Sequence, residues 1–365
     1  MGKNKTKLPK QPFVSICTPT FNRRPFIPII IKCFENQTYP RDKMEWIIVD
    51  DGTDKIEDLV AHLPYVRYFR YEEKMTIGRK RNITNEKAKG DIIVYMDDDD
   101  YYPPDRVKHA VERLRDSKAL CAGSSAMFIY FKHINKMYQF GPYGPNHATA
   151  ATFAFRRELL KKTRFDENSS VAEEKNFLKG YTIPFVQLDP KKSIVVFSHI
   201  HNSFDKKILL EQLPNPNIHE TSIQPEDLVK EPDILNFFMN DVNILLETYD
   251  PGRPEHKPDV TKQLEEIKKH REAIVKETMQ KQNEYNETIN RIMNINPVMN
   301  LQMNQQNFQN LQNTVIEQKI TIQQLTQDNN YLKEKAEYLE NKINQLISEK
   351  IKEIKKEKEV EMNKE

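Results

Sequence analysis

The sequence has no long apolar run and almost no excess of charge, and each shortage excludes a class of protein. None of its apolar runs reaches the roughly 18 residues that a membrane-spanning helix needs. The N-terminal residues lack the apolar core of a secretory signal, so we expect a cytoplasmic chain with no transmembrane segment. The net charge of +2 over 365 residues leaves no electrostatic footprint for nucleic acid, and we expect no nucleic-acid partner.

Cysteine is also scarce. The chain has three, Cys17, Cys33 and Cys121, which lie far apart in apolar surroundings. An odd number of scattered cysteines does not make a disulfide framework, and it fits a reducing compartment. We therefore predict that all three are core residues.

Glycine is absent after Gly252, and the last hundred residues contain a single proline, Pro297. This composition predicts long helices in the C-terminal part of the chain and a turn-rich fold in the N-terminal part. On these grounds we predict a basic flexible tail at 1–11, an α/β domain at 12–212, a Pro-rich connector with one packed helix at 213–258 and a helical region at 259–365.

In the front half, short apolar runs alternate with helical stretches. The runs lack polar–apolar alternation, which indicates strands that are covered on both faces. The repeated strand–helix order predicts a Rossmann-like α/β fold with a mostly parallel central sheet and helices on both faces. The predicted strands are Phe13–Cys17, Trp46–Val49, Val66–Tyr71 and Asp91–Met96, and the predicted helices between them are Pro28–Glu35 and Ile77–Lys89.

Polar side chains follow three of these strands. In an open parallel sheet the carboxyl ends of the strands meet at one edge, where ligands bind. We therefore predict a site at this edge from Thr20, Asn22 and Arg23 after the first strand, Asp50 and Asp51 after the second, and Asp97–Asp100 after the fourth.

The run of four aspartates is the most informative of these groups. Two carboxylates one residue apart at a strand end can bind one hard cation, together with phosphate oxygens and water. The alternative is an acidic cap for the helix that starts near Pro104. Four adjacent aspartates repel one another, so we favour the metal site.

At this point the chain resembles glycosyltransferase family 2, whose fold is GT-A, over about residues 12–205. The resemblance implies a metal-dependent inverting glycosyltransferase that moves a sugar from a UDP-sugar to an acceptor hydroxyl on a glycan or protein-linked sugar, with Mn²⁺ or Mg²⁺ as cofactor. It rests on four motifs in family order, Val14–Arg23, Ile47–Asp54, Ile77–Asn82 and Gly90–Asp100.

The resemblance also implies residue roles. Asp97 and Asp99 match the two carboxylates of the family's D-x-D motif and would bind the metal, while Asp100 would be only a cap. Asn82 is as well explained by a structural hydrogen bond. The donor-binding residues implied are Pro19, Thr20, Arg23, Asp50, Asp51, Gly78, Arg81 and Asp98.

On the acceptor side the family usually has Glu-Asp, where this chain has Glu173-Glu174. Glu174 aligns with the catalytic base, and the choice between Glu173 and Glu174 stays open, as does a simple helix-dipole role. A late histidine, His201 or His199, would complete the metal site. The loop from Gly141 to His147 is a candidate for acceptor binding.

The tail carries a heptad pattern at about 308–350. Leucines seven residues apart with one asparagine at an a position favour a parallel two-stranded coiled coil, hence a homodimer. A single solvated helix and an antiparallel hairpin are the alternatives. The d-position leucines are Leu311, Leu325, Leu332, Leu339 and Leu346.

Two other functions fit parts of the sequence. A sugar nucleotidyltransferase uses a related sheet and paired aspartates, but it usually has a Gly-rich loop after the first strand, where this chain has Thr18-Pro-Thr-Phe-Asn-Arg23. A coiled-coil scaffold with an inactive front domain is the third interpretation. The intact aspartates argue against it.

Overall fold

The computed structural model of the chain describes residues 8–295 and, beyond them, 306–307, 309–310, 313–316 and 318. The chain divides into two compact units, Met1–His270 and Arg271–Glu365. The strands found in the described residues and the candidate site lie in the first unit. The described residues of the second unit are helical.

Two sequence predictions fall largely on other residues. The basic tail predicted at 1–11 lies outside the described residues as far as Lys7. The coiled coil predicted at 308–350 lies outside them except at 309–310, 313–316 and 318, which are helical. The coiled coil and its homodimer therefore stay predictions.

Strands in the described part of the chain form two sheets. They are β1 (Val14–Thr20), β2 (Met44–Asp50), β3 (Val66–Arg70), β4 (Ile92–Tyr95), β5 (Cys121–Gly123), β6 (Met127–Phe131), β7 (Lys136–Phe140), β8 (Ala154–Arg156), β9 (Phe185–Gln187), β10 (Val195–Ser198) and β11 (Ile218–Glu220).

The larger sheet has the strand order β3-β2-β1-β4-β8-β5-β9. Strands β1 to β4 run parallel to one another, and these are the four strands predicted from apolar runs. Strand β8 runs antiparallel to β4 and to β5, so the sheet is mixed. The smaller sheet, of order β10-β6-β7-β11, is mixed as well, since only the β6–β10 pair is parallel.

The described helices cover these sheets. They are α1 (Ile27–Glu35), α2 (Glu57–Val60), α3 (Ile77–Lys87), α4 (Arg106–Arg115), α5 (Glu174–Phe177), α6 (Pro225–Leu228), α7 (Pro232–Asn236), α8 (Val242–Glu247) and α9 (Pro258–Ile295). Short 3₁₀ turns occur at Arg24–Phe26, Arg41–Lys43, Ala150–Thr152, Arg157–Lys161, Pro190–Lys192, Lys206–Gln212, Asp250–Gly252 and Pro254–His256, and one π turn at Phe237–Asp241 joins α7 to α8. None of the helices in the described residues is long and apolar enough to cross a membrane.

The segment predicted as a Pro-rich connector belongs to the first unit. Its helical stretch, α7 to α8, buries Ile234, Phe238 and Val242, and the Phe238 ring stacks on Phe197 of β10 with centroids 4.3 Å apart. Burial of such large apolar side chains contributes about 1.5–3 kcal/mol each. The helix therefore packs on the core, as its apolar pattern predicted.

All three cysteines are free and buried, as the sequence predicted. Gly90 makes a close packing contact with the larger sheet. Helix α3 ends at Lys87, and Gly90 lies beside β1, where an added Cβ would be 2.4 Å from the backbone nitrogen of Ser15. The glycine is needed for close approach to the sheet, and it does not cap the helix.

Candidate active site

The ends of β1, β2 and β4 are joined by a chain of hydrogen bonds. The indole N–H of Trp46 donates to the Thr18 hydroxyl at 2.8 Å, and this hydroxyl donates to the Met96 carbonyl at 2.6 Å. Trp46 is fully buried, and its ring stacks on Phe34 of α1 with centroids 5.1 Å apart. The sheet edge that carries the polar residues is thus held by a buried network.

A cavity of about 320 Å³ opens at this edge. This volume lies in the range of small-molecule sites, and its lining is strongly charged with both signs. The lining residues are Pro19, Phe21, Arg23, Lys74, Met75, Ile77, Lys80, Arg81, Asp97, Asp98, Asp99, Ser170, Val171, Ala172, Glu173, Ser203, Lys257, Asp259 and Val260.

Asp97 is held by two groups. Its carboxylate accepts two hydrogen bonds from Arg81, at 3.1 and 3.2 Å, and its backbone N–H donates to the Tyr102 hydroxyl at 2.6 Å. Burial raises the pKa of Asp97, and the charge of Arg81 opposes this shift. The arginine therefore keeps a negative charge at the end of β4 that burial alone would disfavour.

Asp98 and Asp99 share Arg23, which is only 4% exposed. The guanidinium lies 3.0 Å from Asp99 and 3.6 Å from Asp98. Burial acts to raise the pKa of Asp99, but Arg23 and His199 outweigh it and hold this pKa well below its ordinary value. Burial raises the pKa of Asp98 to about 6, against the charge of Arg23. Asp99 is thus the stronger anion of the two.

Asp100 differs from its three neighbours. It is buried, and one of its carboxylate oxygens has no hydrogen-bond partner among the described residues. Burial and the charge of Asp99 raise its pKa well above the ordinary value. Helix α4 begins at Arg106 with Asp105 as its N-cap residue, so the role of a helix cap, which the sequence suggested for Asp100, is wrong.

The aspartates after β4 fit a hard divalent cation by their chemistry, because three of them line one cavity. Within the residues that the structure describes, however, no group of three His, Cys, Asp or Glu side chains is arranged to hold an ion. Asp97 faces Arg81 and Asp99 faces Arg23 instead. A bound cation would therefore have to share these carboxylates with the two arginines.

The two candidate histidines lie in the segment that directly follows β10. The Nε2 atom of His199 is 3.4 Å from Asp99. His201 uses its backbone carbonyl to accept from Arg23 at 3.0 Å, while its ring lies against Gly252. The structure thus brings His199, and not His201, to the aspartates, and a ligand role for His201 stays a prediction.

Asp50 and Asp51, predicted to bind the donor, are both buried in loop-building contacts. Asp50 accepts from the backbone N–H of Gly52 and Ile56 and from the Tyr68 hydroxyl. Asp51 accepts from Lys80 at 2.8 Å, and Lys80 itself lines the cavity. In the structure these contacts fix the loop after β2, and Asp51 also holds the ammonium group of Lys80.

Helix α3 supplies the other predicted donor contacts. Arg81 reaches the cavity, whereas Gly78 packs so tightly that an added Cβ would be 2.0 Å from the Asp166 carbonyl. Asn82 exchanges two hydrogen bonds of 3.0 Å with the backbone of Phe165, which confirms the structural alternative for this residue. On β1, Pro19 lines the cavity and Thr20 is buried beside it.

The two glutamates at the start of α5 have different surroundings. Glu173 is buried and accepts from Arg81 at 2.8 Å, so its charge is already compensated. Burial, with a further contribution from the charge of Glu173, raises the pKa of Glu174 to about 7. Glu174 is therefore the carboxyl poised to exchange a proton near neutral pH.

Aromatic rings lie close to Glu174. The ring of His147, from the predicted acceptor loop, sits between Tyr143 and Tyr181 with centroids 5.0 and 4.9 Å apart. Burial raises the pKa of Tyr181, and the charge of Glu174 adds to this shift. The loop and the proposed base thus lie on the same side of the site.

Sequence reasoning missed the contribution of the segment from Tyr249 to Gln263. Lys257, Asp259 and Val260 line the cavity, together with Ser170 and Ser203. Among the cavity residues that belong to a sequence motif, Glu173 is the nearest to Lys257 along the chain. More than eighty positions separate the two. No periodicity or spacing links the two, so only the folded chain shows that they meet.

The front of the chain matches a known enzyme family. Residues 15–169 match the family described as Glycosyl transferase family 2. This match defines the class of the domain, which is that of a transferase. The matched residues are less than half of the chain, and they lie in the first unit, whose α/β fold has mixed sheets.

Individual relatives match over short stretches. The chain is 30% identical over 112 residues to the putative teichuronic acid biosynthesis glycosyltransferase TuaG of Bacillus subtilis, which is 28% of this chain and 42% of TuaG. It is 25% identical over 109 residues to the poly(ribitol-phosphate) beta-N-acetylglucosaminyltransferase TarS of Staphylococcus aureus, covering 26% of this chain and 18% of TarS. The matched stretch thus spans less than half the length of either relative.

Two solved structures show a partial likeness. The structure of TarS with UDP-GlcNAc has a TM-score of 0.41 at 20% identity and covers 50% of this chain and 58% of that one. The mannosyltransferase PcManGT of Pyrobaculum calidifontis, solved with GDP-Man and Mn²⁺, has a TM-score of 0.42 at 20% identity and covers 53% and 60%.

Proposed function

We propose that the protein is a metal-dependent inverting glycosyltransferase that moves a sugar from a UDP-sugar to an acceptor hydroxyl on a glycan or glycoprotein. One observation carries the proposal: in a family 2 domain, the ends of β1 and β4 place Arg23 and three aspartates around one cavity. A cavity with paired charges of both signs suits a ligand that brings phosphate and, with it, a cation.

The donor half of the mechanism rests on charge. Asp97 and Asp99, with a histidine, would hold a divalent cation, which would supply positive charge to stabilise a diphosphate leaving group. Arg81 and Arg23 orient these two carboxylates through the ion pairs described above. Pro19 and Thr20 border the nucleoside end, and Asp98, which is buried beside Arg23, accepts a sugar or ribose hydroxyl.

The acceptor half rests on Glu174. In an inverting displacement a base removes the proton of the acceptor hydroxyl on the face opposite the leaving group. Glu173 is engaged by Arg81, which leaves Glu174 as the base. A pKa of about 7 suits this role, because a general base works best when its pKa is close to the working pH.

This assignment predicts a pH profile. Glu174 accepts a proton only as a carboxylate, so the transfer rate should fall about tenfold per pH unit below about 7 and level off above it. The measurement is kcat against pH at saturating donor and acceptor. The variant Glu174→Asp should move the midpoint of the profile. A rate that is constant from about pH 5.5 to 8 would remove the base assignment.

The metal assignment predicts complete sensitivity to chelation. Purified protein is incubated with a panel of UDP-, GDP- and dTDP-sugars, with Mn²⁺ or Mg²⁺, and donor hydrolysis or transfer is followed. We expect turnover with a UDP-sugar, loss of turnover in EDTA and recovery when excess metal is added, because neutralisation of the leaving group contributes several kcal/mol. Turnover that persists in EDTA would contradict the assignment.

Experiments on the same purified protein distinguish two alternative functions from the proposed one. A sugar nucleotidyltransferase would release pyrophosphate from a nucleoside triphosphate and a sugar phosphate. A scaffold with an inactive domain, dimerised through its coiled coil, need not bind UDP at all. Titration of UDP in the presence of Mn²⁺ separates the scaffold from both enzymes.

A further inference from the structure

The segment Tyr249–Gln263, here called the strap, crosses the cavity and is fastened on both sides. On the β1 and β2 side, the Tyr249 hydroxyl donates to Asp54 at 2.8 Å, and the Asn22 amide donates to the Pro251 carbonyl at 2.8 Å. On the α5 side, Gln263 accepts from the backbone N–H of Ser170 at 2.7 Å. The strap is therefore a fixed wall of the cavity.

The strap fits closely at Gly252. An added Cβ there would be 2.7 Å from the Nδ1 atom of His201 and 2.9 Å from the Asn22 carbonyl. The Gly252 carbonyl in turn accepts from Arg23 at 3.4 Å. The strap thus contacts the same arginine that holds Asp98 and Asp99, which ties it to the charged end of the cavity.

Five cationic side chains line the cavity, and four of them pair with carboxylates. Arg23 pairs with Asp99, Lys74 with Asp259, Lys80 with Asp51, and Arg81 with Asp97 and Glu173. Lys257 of the strap is the exception. Within the described residues no carboxylate oxygen lies within 4.0 Å of it, and its hydrogen-bond acceptor is the Ser203 hydroxyl at 2.9 Å.

Lys257 is also only 5% exposed. A buried ammonium group that lacks an anion is costly, because burial removes its hydration without an ionic partner in return. Burial, with a contribution from Arg23, lowers the pKa of Lys257 to about 6, although the more distant charges of Asp99 and Asp98 oppose this shift. The group lines an open cavity, so the anion that it lacks can come from a ligand.

We infer that Lys257 binds the diphosphate of the nucleotide donor and that the strap, which lies outside the family-matching residues 15–169, is part of the donor site. The inference rests on the proposed function for the identity of the ligand. A diphosphate suits the place because it brings negative charge to Lys257, which among the described residues has no carboxylate oxygen within 4.0 Å. The long helix α9 begins at Pro258, directly after this lysine, and its N-terminal end favours the same charge.

The test compares the affinities of UDP and uridine by calorimetry in the presence of Mg²⁺. Loss of a charged hydrogen bond should weaken UDP binding by about tenfold or more in Lys257→Met and leave uridine binding within about twofold. Lys257→Arg, which keeps the charge, should retain most of the UDP affinity. Lys268→Met removes a charge from an exposed position on α9 outside the strap and should bind UDP as the unaltered protein does.

Other outcomes would overturn the inference. Equal UDP affinity in Lys257→Met, or parallel losses for UDP and uridine, would show that the lysine does not contact the diphosphate. A lower unfolding midpoint in Lys257→Met would indicate a structural role, since removal of an unpaired buried charge should leave the midpoint unchanged or raise it.

The inference and the proposed function fail in different ways. Tight UDP binding that ignores Lys257 would overturn the inference and leave the proposed function intact. If the unaltered protein binds pyrophosphate through Lys257 but does not bind UDP, the anion site stands and the nucleotide assignment falls. If it binds neither ligand, both are wrong.

Discussion

The variant Glu174→Gln is expected to lose sugar transfer by about 10²–10⁴-fold in kcat and to bind UDP with unchanged affinity. The loss follows from general-base catalysis, because an amide of the same shape cannot accept the acceptor proton. UDP binding should persist, since Glu174 lies at the start of α5 and is not among the residues that line the cavity. Initial rates and UDP titrations on the same preparation measure both quantities.

Glu173→Gln is the matched control for this variant. It removes the carboxylate that accepts from Arg81 at 2.8 Å, so we expect a weaker hold on the donor site and an increased KM for the donor. The two neighbouring glutamates should thus separate into a kcat effect and a KM effect. Normal turnover in Glu174→Gln, or the reverse pattern between the two variants, would assign the base to Glu173 or to another group.

The variant Asp99→Asn should reduce turnover by about 10³-fold and abolish the metal dependence of UDP binding. Asp99 is the strongest anion of the aspartate run, because Arg23 and His199 hold its pKa well below the ordinary value. A neutral amide cannot hold a divalent cation in this way, and loss of the several kcal/mol that the cation contributes corresponds to roughly this factor. Titration of Mn²⁺ with and without UDP measures the effect directly.

Asp100→Asn provides the comparison within the same run of residues. Burial and the charge of Asp99 raise the pKa of Asp100 well above its ordinary value, and Asp100 is not among the residues that line the cavity, so an amide of equal size should change little. We expect less than about a tenfold change in turnover and unchanged Mn²⁺ binding. Equal losses in Asp99→Asn and Asp100→Asn would contradict the division of roles within the cluster.

The parallel strands were predictable because a short run of apolar residues in the sequence indicates each of them. Buried strands β1, β2 and β4 read as continuous apolar runs, and the polar residues at their ends fall on one sheet edge for a geometric reason. The sequence therefore predicted Arg23 and Asp97–Asp100 as neighbours, and the family resemblance added Arg81. All of these residues except Asp100 line one cavity. Which carboxylate faces which arginine depends on packing, which no spacing encodes.

The rest of the site depends on contacts distant in sequence. Asn22 hydrogen-bonds to Pro251 across more than two hundred residues, and the strap that it holds looked in the sequence like a proline-rich connector. The sequence did not predict a role for Lys257, because a single lysine between two prolines forms no motif. The antiparallel strand β8 was also missed, since three residues are too few to show a period.

The chain contains a single tryptophan, Trp46, at the foot of the site. Its indole is fully buried, stacked on Phe34 and hydrogen-bonded to the Thr18 hydroxyl that joins β1 to β4. Fluorescence excited selectively in tryptophan therefore comes from one position in the core beneath the cavity. This intrinsic emission reports the unfolding of that core without a label, and it lets each active-site variant be checked for an intact sheet edge before its activity is interpreted.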